Sequence, residues 1–352
     1  MSAPLPWLEA PLAQALRSAR GHALLVHGPR GVGQFEFGLA LATAWLCEGA
    51  APDRPQGLAC GHCAACRLVS ARTHPDLLVL LPEALQAALG WQTDDEGEGA
   101  DAKAGKAKPS KEIKVDAVRG VVAFAQQTAS RGARKVVLAW PAERINPTAA
   151  NMLLKTLEEP PGATRFLLAS AAPQRLLPTV RSRCQQLPLG LPPADTAAHW
   201  LTARGLAEPE VLLAAAGGAP LEALERASLG IDAAGWRRLP RELAAGQGAT
   251  LAAWPLPLAI DALQKLCHDA LSLAVGAAPR YFPAGSVAGG GDVGRLTECA
   301  AALRDTARHA EHPWNAALAV EALVQRVQRA LRPLSVAAAP HGARRPLDTL
   351  ER

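Results

Sequence analysis

Apolar positions along this chain come in two arrangements, and the alternation between them predicts the fold. Short unbroken runs stand at Leu24-Leu25-Val26, 77–81, 136–139 and, within a strand expected over Arg165–Ala169, at 166–169. Apolar side chains in succession mark strands buried on both faces, as the strands of a parallel sheet are. Between these runs, apolar residues return every three or four positions. Trp7, Leu8, Leu12 and Leu16 do so in a short amphipathic helix, 37–47 is a helix of Ala, Leu and Trp, and a further helix opens at Ile113 and runs to about Ala129 through Val115, Val118, Val122 and Ala125. Leu153, Leu154 and Leu157 share one face of a helix over 151–159, stopped by Pro160-Pro161-Gly162. Strand and helix in alternation predict an α/β domain with a doubly wound parallel sheet.

Past residue 190 the unbroken runs stop. Short amphipathic segments over 194–204, 208–216 and 221–227 are followed by helices over 256–276, 294–310 and 313–331, with Trp236, Trp254 and Trp314 expected in helix cores. Two stretches break every pattern: 90–112, acidic and then lysine-rich, reads as an exposed mobile insertion, and 335–352 as a polar tail.

Composition narrows the classes. A chain of 352 residues is long for one core, so two or three domains are expected. The net charge of +5 is too mild for a dedicated nucleic-acid binder. The N-terminus has no signal-peptide architecture, and no apolar run reaches the about 18 residues a membrane helix needs. A soluble, cytoplasmic protein without a membrane partner is expected. Four of the seven cysteines lie within twenty residues, which is not the usage of a secreted disulfide scaffold.

Three sets of residues carry candidate chemistry. The first is the stretch LLVHGPRGVGQF, in which Gly28, Gly31 and Gly33 stand where a phosphate-binding loop places them between a strand and a helix. The positions that would hold the phosphate-binding Lys and the magnesium-binding Ser or Thr are Gln34 and Phe35. Trp140 and Pro141 follow the 136–139 run where a P-loop ATPase carries its Asp-Glu pair, and Glu143 lies further along. The second set is Cys60-Gly-His-Cys63-Ala-Ala-Cys66 with Cys47 upstream, the donor set of a closed tetrahedral structural Zn2+ site. His62 competes with Cys47 as fourth ligand, and a redox pair or reduced buried thiols are the other readings. The third is Arg181-Ser182-Arg183-Cys184.

The succession of 28–35, the cysteine cluster, Thr73-His74-Pro75-Asp76, 151–161 and Ser182-Arg183-Cys184 resembles the clamp-loader subunits of bacterial DNA polymerase III, a branch of the AAA+ ATPases, over residues 20–190. The resemblance implies three parts: an AAA+-like domain with a degenerate P-loop over 1–190, carrying a zinc-binding insertion at 47–66 and the flexible insertion at 90–112; a small helical lid over 191–231; and an all-α collar for oligomerisation over 232–334. It implies that Arg183, with Arg181 as the alternative, is an arginine finger presented to the ATP of a neighbouring gamma/tau-type subunit. Leu221 stands where active relatives carry an arginine that senses their own nucleotide. A branch without its own ATPase is thus implied, binding no ATP, partnered by gamma/tau-type and delta subunits, and acting through the complex on the sliding clamp and primed DNA. The rival readings are a divergent active P-loop NTPase using Arg30 as phosphate cation, and a stand-alone zinc-containing nucleic-acid-binding protein.

Overall fold

The unbroken apolar runs form strands: β1 (Ala23–His27), β2 (Leu77–Leu80), β3 (Lys135–Ala139) and β4 (Thr164–Ser170), joined by an edge strand β5 (Gln185–Pro188). The sheet has five strands in the order β2-β3-β4-β1-β5, parallel at every pairing. All five residues of β3 are buried, whereas β5 is largely exposed. Half-solvated edge pairing tolerates Gln185 and Gln186, which is why no apolar run announces this strand.

The computed structural model describes residues 5–91, 109–132, 134–289, 291–310, 312 and 314–332. The core of the expected 90–112 insertion (92–108) and the tail over 335–352 lie outside the described residues. The chain divides into two compact units, Met1–Ser228 and Leu229–Arg352.

In the first unit the helices up to the edge strand are α1 (Glu9–Ser18), α2 (Gln34–Leu46), α3 (Ala64–Ser70), α4 (Glu83–Leu89), α5 (Val115–Gln126), α6 (Pro147–Glu158) and α7 (Pro178–Arg181). On one face of the sheet Val118 and Val121 of α5 and Leu153 and Leu157 of α6 join Leu25, Val137, Phe166 and Leu168 in a single core. On the other face α2 packs close, because Gly38 leaves room for a Leu138 methyl only 2.6 Å from where a Cβ would stand. Each fully buried Leu, Val or Phe here contributes roughly 1.5–3 kcal/mol.

The helix expected from Ile113 begins two residues later, since Ile113 pairs as an isolated parallel bridge with Ile145. It ends at Gln126, where Gln127 turns extended, and its second buried position is Val121 rather than Val122. Helix α6 starts earlier than the 151–159 pattern predicts: Pro147 occupies its first turn, and the Asn146 side chain accepts the Ala149 N–H at 2.8 Å.

Helices α8 (Ala194–Thr202), α9 (Pro209–Ala215) and α10 (Pro220–Ser228) complete the first unit. The second unit is helical among the described residues: α11 (Ala233–Ala244), α12 (Ala249–Ala252), α13 (Leu256–Ala274), α14 (Val293–Arg308) and α15 (Ala316–Leu331). Trp236 is fully buried and stacks on Phe282 with ring centroids 4.6 Å apart and on Trp254 at 6.3 Å. Buried Asp269 orders the loop beneath it by accepting the N–H groups of Arg280, Tyr281 and Phe282 at 2.9, 2.8 and 2.8 Å. Trp314 departs from the expectation of a core residue: it is 53% exposed, because it precedes α15 and its contacts are local, an indole N–H on the His309 carbonyl and a ring contact with His312.

Candidate functional site

The glycine loop leaves the carboxyl end of β1 and enters α2 through Gly33, in left-handed conformation. It has the path of a phosphate loop, and other parts of the chain bond to its carbonyls. Gln34 is 1% exposed, and its amide donates to the carbonyls of both Gly28 and Pro29 at 2.7 Å. Phe35 is buried beside it. The N–H of Leu221, near the start of α10, donates to the Gly31 carbonyl at 3.1 Å.

Two of the glycines have packing reasons to be glycine. A Cβ at Gly28 would stand 2.3 Å from the Leu189 carbonyl oxygen, and one at Gly31, whose φ is +81°, would stand 2.7 Å from the Glu222 nitrogen. Arg30, the alternative phosphate cation, is held by Glu222 at 3.1 Å and by Glu225 at 2.8 Å. A buried arginine the sequence pattern did not single out, Arg226, is 2% exposed and pairs with Glu222 from the other side at 3.3 Å.

Trp140 and Pro141 lie at the end of β3, with the Trp140 N–H on the Leu80 carbonyl at 3.0 Å. Glu143 turns to the neighbouring strand end, where it accepts the Ala171 N–H at 3.2 Å.

Arg183 follows the single turn of α7. Its guanidinium pairs with Glu158 at the end of α6, and its Nη1 donates to the Thr179 carbonyl at 2.8 Å, leaving the side chain 31% exposed. Glu158 was not legible as a partner, because it lies 25 residues earlier and only the approach of α6 to α7 brings the two together. Arg181 is exposed. Cys184 is buried, and burial pushes its thiol up to about 12, so it is a packed thiol and not a nucleophile at neutral pH.

The four cysteines converge. Cys47 ends α2, Cys63 caps α3 and Cys66 lies within α3, and the four sulfurs all fall within 4.8 Å of one another. The Cys47 sulfur is 3.5 Å from that of Cys60 and 3.9 Å from that of Cys63. These separations bracket the edge of about 3.8 Å that four thiolates make around a zinc ion with 2.3 Å bonds. Backbone N–H groups of Gly49, Cys60, Cys63 and Cys66 point at the sulfurs, each 3.4 Å away. Burial opposes ionisation of Cys63, yet the N–H groups of Cys66 and Glu48 and the adjoining thiols bring it down to about 6. Burial pushes Cys66 up. Four soft donors, converging and already solvated by N–H groups, fit a tetrahedral divalent metal. His62 is outside the cluster: it is exposed, with its Nδ1 on the Cys60 carbonyl at 2.9 Å.

The family model described as DNA polymerase III, delta subunit, matches residues 9–192. A DNA polymerase III subunit delta' of Pseudomonas aeruginosa is 42% identical over 224 residues, covering 62% of this chain and 60% of that protein. The protein of the same name from Escherichia coli is 38% identical over 215 residues, 60% of this chain and 56% of its own. DNA polymerase III subunit tau of E. coli is 32% identical over 168 residues, 48% of this chain and 21% of that protein. The matches thus span about 60% of the length of the delta' proteins. Among the described residues, no helix is long and apolar enough to cross a membrane.

Proposed function

We infer the role of this protein from one premise: the chain belongs to the DNA polymerase III delta subunit family, in the branch that includes the delta' subunits. It is a non-catalytic subunit of a clamp-loader complex, with an AAA+-like domain over 1–190, a helical lid over 191–231 and a helical collar over 232–334. It works in the cytoplasm beside gamma/tau-type ATPase subunits and a delta subunit, and helps the complex place a sliding clamp on primed DNA.

The observation that carries this reading is the closure of the glycine loop: the Gln34 amide fills the place of a phosphate ligand while Arg30 is committed to Glu222 and Glu225. A loop so filled supports a chain that binds no ATP of its own. The Arg183 side chain, oriented by Glu158 and the Thr179 carbonyl, supports the complementary part. Held next to the γ-phosphate of a neighbouring subunit's ATP, its guanidinium would stabilise the charge that builds up as the phosphoryl group leaves.

Cys47, Cys60, Cys63 and Cys66 hold a structural Zn2+. With all four positions taken by sulfur the ion has no open site for water, and it ties the end of α2 to α3. Treatment with a strong chelator should release one zinc per chain by a colorimetric assay and expose 47–66 to protease. A chain that holds no stoichiometric zinc when purified without chelator ends this part of the reading.

The decisive experiment measures DNA- and clamp-stimulated ATP hydrolysis by a reconstituted complex containing this chain or its Arg183→Ala variant, with the isolated chain alongside. Loss of turnover in an intact assembly, together with a silent isolated chain, is the expected result. Turnover by the isolated chain, or an unaffected assembled complex, contradicts it.

A further inference from the structure

The parallel sheet has two ends, and only one is accounted for by the glycine loop. At the amino-terminal end of the strands lies a second cavity, of about 300 Å³, whose charged lining is all of one sign: Arg17, Arg54, Arg134 and Arg165, around Trp45. The topology gathers them. Arg17 is in the last turn of α1, Trp45 in the last turn of α2, Arg134 immediately before β3, and Arg165 second in β4. Because the strands run in parallel, all four arrive at the same edge, opposite the usual ligand-binding edge of such sheets.

Arg54 is a wall of this cleft. Its guanidinium donates to the carbonyls of Gly57, Leu58 and Cys47 at 3.1, 3.3 and 3.4 Å and so closes the loop that leads to the cysteine cluster. The other three have no such use. Among the described residues no carboxylate pairs with Arg17, Arg134 or Arg165. The Arg165 guanidinium carbon stands over the Trp45 ring, 4.5 Å from its centroid. Burial, and then the charge of Arg134, hold Arg165 below the ordinary arginine value. Like charges gathered in a cleft without a counter-charge repel one another, and the repulsion is relieved only by an anion from outside.

The cleft continues into a neighbouring cavity of about 320 Å³ that shares Trp45, Arg54 and Arg134 and is also lined by two carboxylates, both engaged: Glu48 pairs with Arg131 at 3.0 Å, and Asp76 accepts the Ser130 and Arg131 N–H groups at 2.7 and 2.9 Å. His74 borders that second space. It is 5% exposed, and its Nδ1 accepts the Asp76 N–H at 3.0 Å, which leaves the proton on Nε2 without an acceptor. A buried donor with nothing to donate to therefore lies on the same groove.

We propose that this groove binds single-stranded DNA, with Arg17, Arg134 and Arg165 as ligands of its backbone phosphates and the Arg165–Trp45 pair as a platform for a base. Guanidinium forks match phosphate oxygens, and a guanidinium stacked on an indole offers a flat face on which a base can lie. An acidic peptide would use the charge and leave that face idle. The inference rests on the proposed function only for the choice of DNA as the strand.

The test is fluorescence anisotropy of the full chain, without partner subunits or ATP, against a labelled oligothymidylate of about 20 nucleotides. Wild-type binding should weaken with salt, and the slope of log affinity against log salt should shrink by about 0.7 for each arginine replaced in R17Q, R134Q and R165Q. The R134Q/R165Q double variant should lose about tenfold in affinity at low salt. R119Q, at an exposed arginine paired with Asp116 on α5, should bind like wild type. R17Q lies at an exposed helix end and keeps the test open if the double variant folds poorly.

The proposal is overturned if wild type shows no salt-dependent binding, if the R17Q and R134Q/R165Q slopes equal that of wild type, or if polyglutamate displaces the label and an unlabelled strand does not. Because the readout involves neither ATP nor a second subunit, a negative result here leaves the role of Arg183 untouched, and a failure of Arg183 leaves this groove untouched.

Discussion

The glycine loop and the turn at Arg183 are both built from residues that nucleotide-handling proteins use, and they face opposite ways. In the loop three polar groups are answered from within: the Gln34 amide by two carbonyls, the Gly31 carbonyl by Leu221, and the Arg30 guanidinium by two glutamates. At the turn, a carboxylate and a carbonyl fix one side of the Arg183 guanidinium while part of it meets solvent. The difference teaches that one backbone shape can be held by contacts within the chain. Gly28 and Gly31 now serve contacts with Leu189 and Glu222, so their loss would cost stability whether or not a phosphate is ever bound. A surface arginine costs the fold little and has no packing reason to remain.

Three substitutions sharpen or break that contrast. Arg183→Ala carries the largest expected effect, about a thousandfold or more in turnover by the assembled complex, with the unfolding midpoint of the isolated chain essentially unmoved. A large drop in that midpoint would make Arg183 a structural residue like those of the loop.

Gly28→Ala should cost about 2–4 kcal/mol by urea unfolding, since the new methyl meets a backbone oxygen that cannot rotate away. A neutral result would mean that Leu189 does not approach the loop in solution.

Gln34→Lys restores the cation a phosphate loop needs, and by calorimetry it should still show no Mg-ATP binding. The lysine replaces an amide that serves two buried carbonyls, Phe35 still supplies no hydroxyl for magnesium, and about 1–3 kcal/mol of stability should be lost for the displaced hydrogen bonds. Tight nucleotide binding by this variant would show that one residue, and not the closure of the loop, keeps the site silent.

Much of the fold was legible because its signals are local. Four of the five strands contain an unbroken apolar run, and the cysteine spacing already held the donor set that the structure brings together. The edge strand β5 was not legible, because a half-exposed strand needs no apolar run. Helices α4, α11 and α12 escaped for a related reason: α4 buries no residue, α12 is one turn long, and α11 carries Pro240 in its interior. Trp314 looked like core from its residue type, yet burial depends on what lies opposite, which no residue type states.

By itself the sequence determined which groups are available: a glycine loop without Lys or Ser/Thr, four clustered cysteines, an arginine between Ser182 and Cys184. Only the tertiary structure decided how they are used. It brought Leu221 to Gly31, Glu158 to Arg183, and arginines from the ends of α1, β3 and β4 to a single cleft around Trp45. The physical reason is range. Periodicity, capping and ligand spacing act over a few residues and can be read along the chain. Which distant side chains meet depends on strand order and register in the parallel sheet and on how closely the helices pack against it.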